Sequence, residues 1–195
     1  IYMINCHYYK WIDEVKWLDK INKIIDKKSV IYDQDFKKAK YSTKTSTVKY
    51  IDYNHLSKFL NDYVVKALSV NSDCFGYNLF SLSPTTVLNV NYYSENEKYE
   101  WHFDSSQNPV NDVKLTLLIN ISEKKYQGGE FQVFLSENPE TINSFSKGGD
   151  MILLKSSILH RVIPIIKGMR KSLTIFFEGP KFQWIYLITI GIFLQ

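Results

Sequence analysis

The sequence predicts a mainly β fold with flanking helices, an α+β jelly roll supported by its N-terminal segment. Two observations lead there. Apolar residues recur at helical spacing before Pro84, and after Pro84 the chain breaks into short β-rich runs separated by Gly, Pro, Asn and Ser. Many short strands with regular turn signals point to a sandwich or jelly roll. A third observation bounds the answer: 195 residues suit one domain with a sizeable core.

Taken in order, Trp11, Val15, Leu18, Ile21 and Ile25 predict an amphipathic helix over 12–27. Leu56, Phe59, Leu60, Tyr63, Val64 and Leu68 predict a second over 53–68. Between them 37–49 is rich in Lys, Ser and Thr; it reads as a strand pair or a mobile loop, and is a candidate lid. Strands are expected over 85–93, 99–103, 113–122, 130–135, 150–154, 159–165 and 172–178. The pairs Gly128-Gly129 and Gly148-Gly149 mark tight turns. Residues 1–183 therefore read as one domain, with 1–84 as helical support and 85–183 as the β core. Residues 184–195 form an almost wholly apolar tail, shorter than the ~20 residues of a membrane span. The tail reads as a buried last strand or as an extension outside the domain, ahead of a membrane-associated tail.

The net charge of +4 is modest and spread along the chain, so no nucleic-acid partner is demanded. Cys6 and Cys74 do not make a disulfide framework, and a reducing, cytoplasmic setting is expected. No zinc-ligand Cys spacing, phosphate loop or Gly-x-Ser-x-Gly elbow is present.

The chemistry is concentrated in His102-Phe103-Asp104, with His160 and Arg170 further along. A His and an Asp two residues apart on a strand point to the same side. A second His brought in by the fold completes a set of two imidazoles and one carboxylate. Such a set binds Fe(II) and leaves one face open for a co-substrate and O2. Arg170 offers a planar fork suited to a carboxylate. His7 and His55 have no partners at useful spacing.

The order of several segments carries a family resemblance. They are Tyr93-Ser-Glu-Asn-Glu-Lys-Tyr99-Glu-Trp-His102-Phe-Asp104, Lys114-Leu-Thr-Leu-Leu-Ile-Asn-Ile121, Gly128-Gly-Glu130, Gly149-Asp-Met-Ile152, His160-Arg-Val-Ile-Pro164, Gly168-Met-Arg170-Lys-Ser172-Leu and Gly179-Pro-Lys-Phe182. Over 85–183 the chain resembles the Fe(II)- and 2-oxoglutarate-dependent dioxygenases of the prolyl 4-hydroxylase type, in their compact microbial and viral form. The resemblance implies a double-stranded β-helix with His102, Asp104 and His160 as Fe(II) ligands. It implies Arg170 as the clamp for the distal carboxylate of 2-oxoglutarate, and a Tyr hydroxyl that reaches the same carboxylate. Tyr93 has the matching position, but a one-residue bulge would substitute Tyr92. Ser172 shares the strand face of Arg170 and adds a second contact. Tyr99 and Trp101 line or support the site.

The implied reaction couples oxidative decarboxylation of 2-oxoglutarate, giving succinate and CO2, to hydroxylation of a C–H bond, with O2 consumed and ascorbate protecting the iron. A prolyl residue of a peptide or protein is the first choice of substrate. Another amino acid, a small metabolite, or a non-catalytic jelly-roll binding module are the alternatives. Related nucleic-acid demethylases carry Arg-x-Asn-x-Thr-x-Arg after the distal His. Here Arg170-Lys-Ser-Leu-Thr174-Ile-Phe176 lacks the Asn and the second Arg, so a nucleic-acid substrate is not expected, nor is a membrane partner.

Overall fold

The computed structural model describes residues 7–12, 16–31, 43–105, 108–143 and 145–181. Two sheets face each other, and two helices cover the outer side of the larger one. Strands β1 (Tyr8–Ile12), β2 (Thr47–Asp52), β3 (Val87–Tyr93), β5 (Asn111–Asn120), β9 (Asp150–Lys155) and β12 (Arg170–Pro180) form a six-stranded antiparallel sheet in the order β1-β9-β5-β12-β3-β2. Strands β4 (Tyr99–His102), β7 (Phe131–Phe134), β8 (Pro139–Thr141) and β10 (Leu159–Val162) form a four-stranded sheet in the order β4-β10-β7-β8. A short pair, β6 (Gln127–Gly128) and β11 (Ile165–Lys167), closes one end. The expected jelly-roll architecture is what the chain adopts.

Period-2 alternation divides the six-stranded sheet between two cores. Leu115, Leu117 and Ile119 of β5, Leu173, Ile175 and Phe177 of β12, and Met151 and Leu153 of β9 pack towards the helices. Leu118 of β5 and Ile152 and Leu154 of β9 pack instead with Phe131, Val133 and Val162 of the smaller sheet. The helices are α1 (Leu18–Lys28) and α2 (Ser57–Val70). Helix α1 buries Ile21 and Ile25, and α2 buries Leu60, Val64, Ala67 and Val70 against the first core.

Several boundaries differ from expectation. Helix α1 begins at Leu18 rather than residue 12, because residues 8–12 add a strand to the sheet edge, with Trp11 opposite Met151. Trp11 had the spacing of a helical residue but is buried by sheet pairing; Val15 lies outside the described residues. The second helical segment starts with a single 3-10 turn, Tyr53–His55, and its α-helix runs two residues beyond 68. The strand expected over 159–165 is split into β10 and β11 at Pro164, which has no N–H to continue a ladder. Of the candidate lid, 37–42 lie outside the described residues, while 47–52 are the edge strand β2. The apolar tail, 184–195, also lies outside them, as does Cys6; Cys74 is a free thiol. Among the described residues no helix is long and apolar enough to cross a membrane.

Candidate active site

His102 ends β4 and His160 lies on β10, directly across the strand pair from it. Asp104 follows β4 in a loop held by a hydrogen bond from its N–H to the Ser156 carbonyl, 3.1 Å. The ligand-type atoms of His102, Asp104 and His160 all lie within 4.8 Å of one another, and among the described residues this is the one such cluster.

Backbone carbonyls orient both rings. His102 Nδ1 lies 2.7 Å from the Glu100 carbonyl and His160 Nδ1 lies 2.8 Å from the Ile158 carbonyl. A carbonyl only accepts, so each Nδ1 carries the proton, which fixes the tautomer in which the neutral ring presents its Nε2 lone pair. Those Nε2 atoms lie 3.8 Å and 3.5 Å from the two Asp104 oxygens. Both separations exceed a hydrogen bond and leave room between the three groups. Asp104 is itself fixed: the buried Thr116 hydroxyl donates to its Oδ2 at 2.6 Å. Burial, and then the neighbouring His160, push the His102 imidazolium down to about 4. The ring is therefore neutral near pH 7, the form that ligates a metal. Two imidazoles and one hydrogen-bonded carboxylate, converging on one point, fit a divalent iron-type ion.

Tyr99 lies flat on His102, with ring centroids 3.4 Å apart and planes 15° apart. Residues three apart on a regular strand face opposite ways. Here a bulge in β4 sets three of its steps against two of β10, with His160 opposite His102 and Val162 opposite Tyr99. That turns Tyr99 onto the face of His102. Trp101 goes to the other side, where it meets Phe134 edge-on and carries the Arg161 guanidinium over its ring at 4.5 Å. Of the two aromatics expected at the site, only Tyr99 lines the cavity.

The opposite wall is the β3/β12 pair. Register places Arg170 beside Tyr93, Ser172 beside Asn91 and Thr174 beside Asn89, and all six side chains line one cavity of about 100 Å³ together with the His-Asp-His cluster. Tyr93, not Tyr92, faces this cavity; Tyr92 packs on the helix side, between Lys49 and Lys171. Burial pushes the Tyr93 phenol up, with the Arg170 charge acting against it, so it is neutral.

Arg170 is 1% exposed. Its Nη1 donates to the Ser172 hydroxyl at 3.3 Å, and its Nε has no hydrogen-bond partner among the described residues. Tyr93 and Phe145 flank the guanidinium, each 5.2 Å away. Among the described residues no carboxylate lies within ion-pair distance of it. A buried cation without an anion is costly, so the cavity is electrostatically suited to an acid. Gly129 makes room for this arrangement. Its φ is +68°, and an added Cβ would lie 2.3 Å from Ile165 Cδ1 and 3.1 Å from Arg170 Cδ.

Sequence reasoning missed Thr116, Asn91 and Lys44. The first two were detectable as polar residues inside apolar strands, whereas Lys44 sat unmarked in a Lys-rich stretch.

The 2OG-Fe(II) oxygenase superfamily model matches residues 88–178, the span holding the His-Asp-His cluster, Tyr93, Arg170 and Ser172 but not Lys44. A PKHD-type hydroxylase of Xylella fastidiosa is 33% identical over 92 residues, covering 41% of this chain and 39% of the relative. One from Acidovorax ebreus is 30% identical over 130 residues, covering 61% of this chain and 54% of the relative. The chain thus spans about two fifths to one half of the length of these relatives. A Pseudomonas putida prolyl-4-hydroxylase has the same fold, with a TM-score of 0.67 at 14% identity over 88% of this chain and 91% of that one. So has the viral collagen prolyl hydroxylase of Paramecium bursaria Chlorella virus-1, with a TM-score of 0.62 at 15% identity over 91% and 98%.

Proposed function

We propose that the chain, whose residues 88–178 match the 2OG-Fe(II) oxygenase superfamily model, is an Fe(II)- and 2-oxoglutarate-dependent dioxygenase that hydroxylates a C–H bond. His102, Asp104 and His160 hold Fe(II), and Arg170 binds the distal carboxylate of 2-oxoglutarate. The observation that carries this reading is the buried Arg170 guanidinium, without an anionic partner among the described residues, in the same cavity as the His-Asp-His cluster. A metal-ligand set alone would suit many reactions; paired with a buried cation it suits an acidic co-substrate.

Bound Fe(II) would supply O2 activation coupled to loss of CO2 from 2-oxoglutarate, leaving succinate. The protein's own part is positional. The Glu100 and Ile158 carbonyls hold the two imidazoles in one tautomer. Thr116 fixes the carboxylate. Ser172 and the neutral Tyr93 hydroxyl adjoin Arg170 and complete the acid's binding end. Phe131, Leu118 and Val162 keep the reacting end apolar and limit water.

A prolyl residue of a peptide or protein is the preferred substrate. The fold is shared with prolyl hydroxylases, including one from Trichoplax adhaerens in complex with a hypoxia inducible factor peptide fragment. Other amino acids and small metabolites are the second choice. Ascorbate would reactivate iron oxidised in uncoupled turnovers. The test is incubation with Fe(II), 2-oxoglutarate and a proline-containing peptide library. Succinate formed in step with peptides that gain one oxygen atom at proline is the expected result. Succinate without such a peptide moves the substrate to another class, and no succinate with any substrate refutes the dioxygenase reading.

A further inference from the structure

The cavity contains a second inward-turned cation, Lys44, from outside the family-matched span. It comes from 43–46, a strap that joins the edges of the two sheets. On one side the strap pairs with β4: Thr45 N–H donates to the Lys98 carbonyl at 3.1 Å, Lys98 N–H to the Thr45 hydroxyl at 2.9 Å, and Glu100 N–H to the Thr43 carbonyl at 2.8 Å. On the other it runs directly into β2, which pairs with β3. Lys44 therefore has a fixed backbone, and its ammonium points inward. It donates to Asn91 Oδ1 at 2.7 Å and lies 4.8 Å from the centre of the Tyr99 ring, the ring stacked on His102.

The strand register places this cation between Arg170 and the metal-ligand cluster. On the inner face Arg170 lies beside Tyr93, and the next step holds Ser172, Asn91 and Asn120. Thr174, Asn89 and Leu118 follow, then Phe176 with Thr116, the residue that anchors Asp104. Each such step is about 6.6 Å. An acid that spans from Arg170 to the cluster passes the Lys44–Asn91 step. Burial pushes the Lys44 ammonium down to about 8, against the pull of Asp104, so it stays largely charged near pH 7.

We propose that Lys44 binds the carboxylate next to the keto group of 2-oxoglutarate, so that two inward-facing cations, one for each end, select a five-carbon 2-oxo dicarboxylate. This rests on the reading of the cavity as a 2-oxoglutarate site. Lys44 acts here as a ligand-binding residue, and its role is independent of holding the metal.

Calorimetry on the Mn(II)-loaded protein tests it, with 2-oxoglutarate, with pyruvate (a 2-oxo acid without the distal carboxylate) and with glutarate (both carboxylates, no keto group). Lys44→Met should weaken 2-oxoglutarate and pyruvate by about tenfold or more, the loss of a charge-assisted contact, with Mn(II) affinity unchanged. Lys44→Arg should restore most of that binding, and Lys44→Gln serves as the neutral variant if Lys44→Met does not fold. Arg170→Met should weaken 2-oxoglutarate and glutarate and leave pyruvate unchanged. If the neutral Lys44 variants bind pyruvate and 2-oxoglutarate like the parent, the role of Lys44 is overturned while the site survives. Loss of glutarate binding with pyruvate binding intact would place Lys44 at the distal carboxylate and also overturn it. A Mn(II)-loaded parent that binds no 2-oxoglutarate refutes the cavity reading itself.

Discussion

The six-stranded sheet is covered on both faces, by helices on one and by the second sheet on the other, whereas the four-stranded sheet turns its outer side, with Trp101, Arg161 and Phe134, away from both cores. The two sheets contribute differently to the cavity. The covered sheet supplies the floor and the buried Arg170, on long strands locked by their neighbours on each side. The thinner sheet supplies both imidazoles, on strands of four residues. The lesson is a division of labour: the two imidazoles are aimed locally by backbone carbonyls, and the wall that carries Arg170 is aimed by the core itself. Changes to the ligands should remove chemistry and spare the fold, while changes to the wall should alter fold and binding together.

The largest effect tests the thin side. His102→Ala, Asp104→Ala and His160→Ala should each abolish succinate formation and weaken iron binding, with the circular dichroism spectrum retained. Near-parental turnover in any folded variant would remove that residue from the ligand set. On the covered side, Arg170→Ala should raise the KM for 2-oxoglutarate by an amount worth about 2–5 kcal/mol and leave iron affinity alone. The same site carries a stability counterpart. Arg170 is a buried cation without an anion among the described residues, so Arg170→Met should raise the thermal midpoint of the ligand-free protein, gaining about 1–3 kcal/mol. A midpoint that falls instead would show that the guanidinium is already satisfied.

On the helix side, Leu117→Ala, wholly within that core, should cost about 2–5 kcal/mol of stability, measured by denaturant titration, with iron stoichiometry unchanged in the folded fraction. The smallest effects come from groups that hold the ligands. Thr116→Val and Tyr99→Leu should each weaken iron binding about tenfold, as expected for groups that orient metal ligands. Trp101→Ala, on the far side of the same strand, should stay within about threefold of the parent. An equal effect of Tyr99 and Trp101 would contradict the bulge that separates them.

The sequence made the strands, their turns and the His102, Asp104, His160 and Arg170 constellation legible, because each depends on local spacing or residue chemistry. Other features depended on pairing partners distant in the chain. Trp11 mimicked a helical position, yet its burial comes from β9. Tyr92 and Tyr93 could not be ranked, since only the register of Arg170 against Tyr93 sets which ring faces inward. Tyr99 and Trp101 were both expected at the site, and only Tyr99 lines the cavity, because a bulge is invisible to a period-2 reading. The largely apolar run 115–119 concealed which residues face which core, although Thr116 within it and Asn120 after it marked the cavity side. Lys44 carried no signal, because its burial is created by the strap pairing with β4.

The central claim, one cavity that joins a His-Asp-His iron site to an Arg-held 2-oxo acid, is tested most directly by anaerobic titration of the Fe(II)-loaded protein with 2-oxoglutarate, followed by visible absorption. A metal-to-ligand charge-transfer band is expected in the parent, none in His160→Ala, and one that needs far more 2-oxoglutarate in Arg170→Ala. A parent protein that binds Fe(II) but shows no such band at saturating 2-oxoglutarate would contradict the claim.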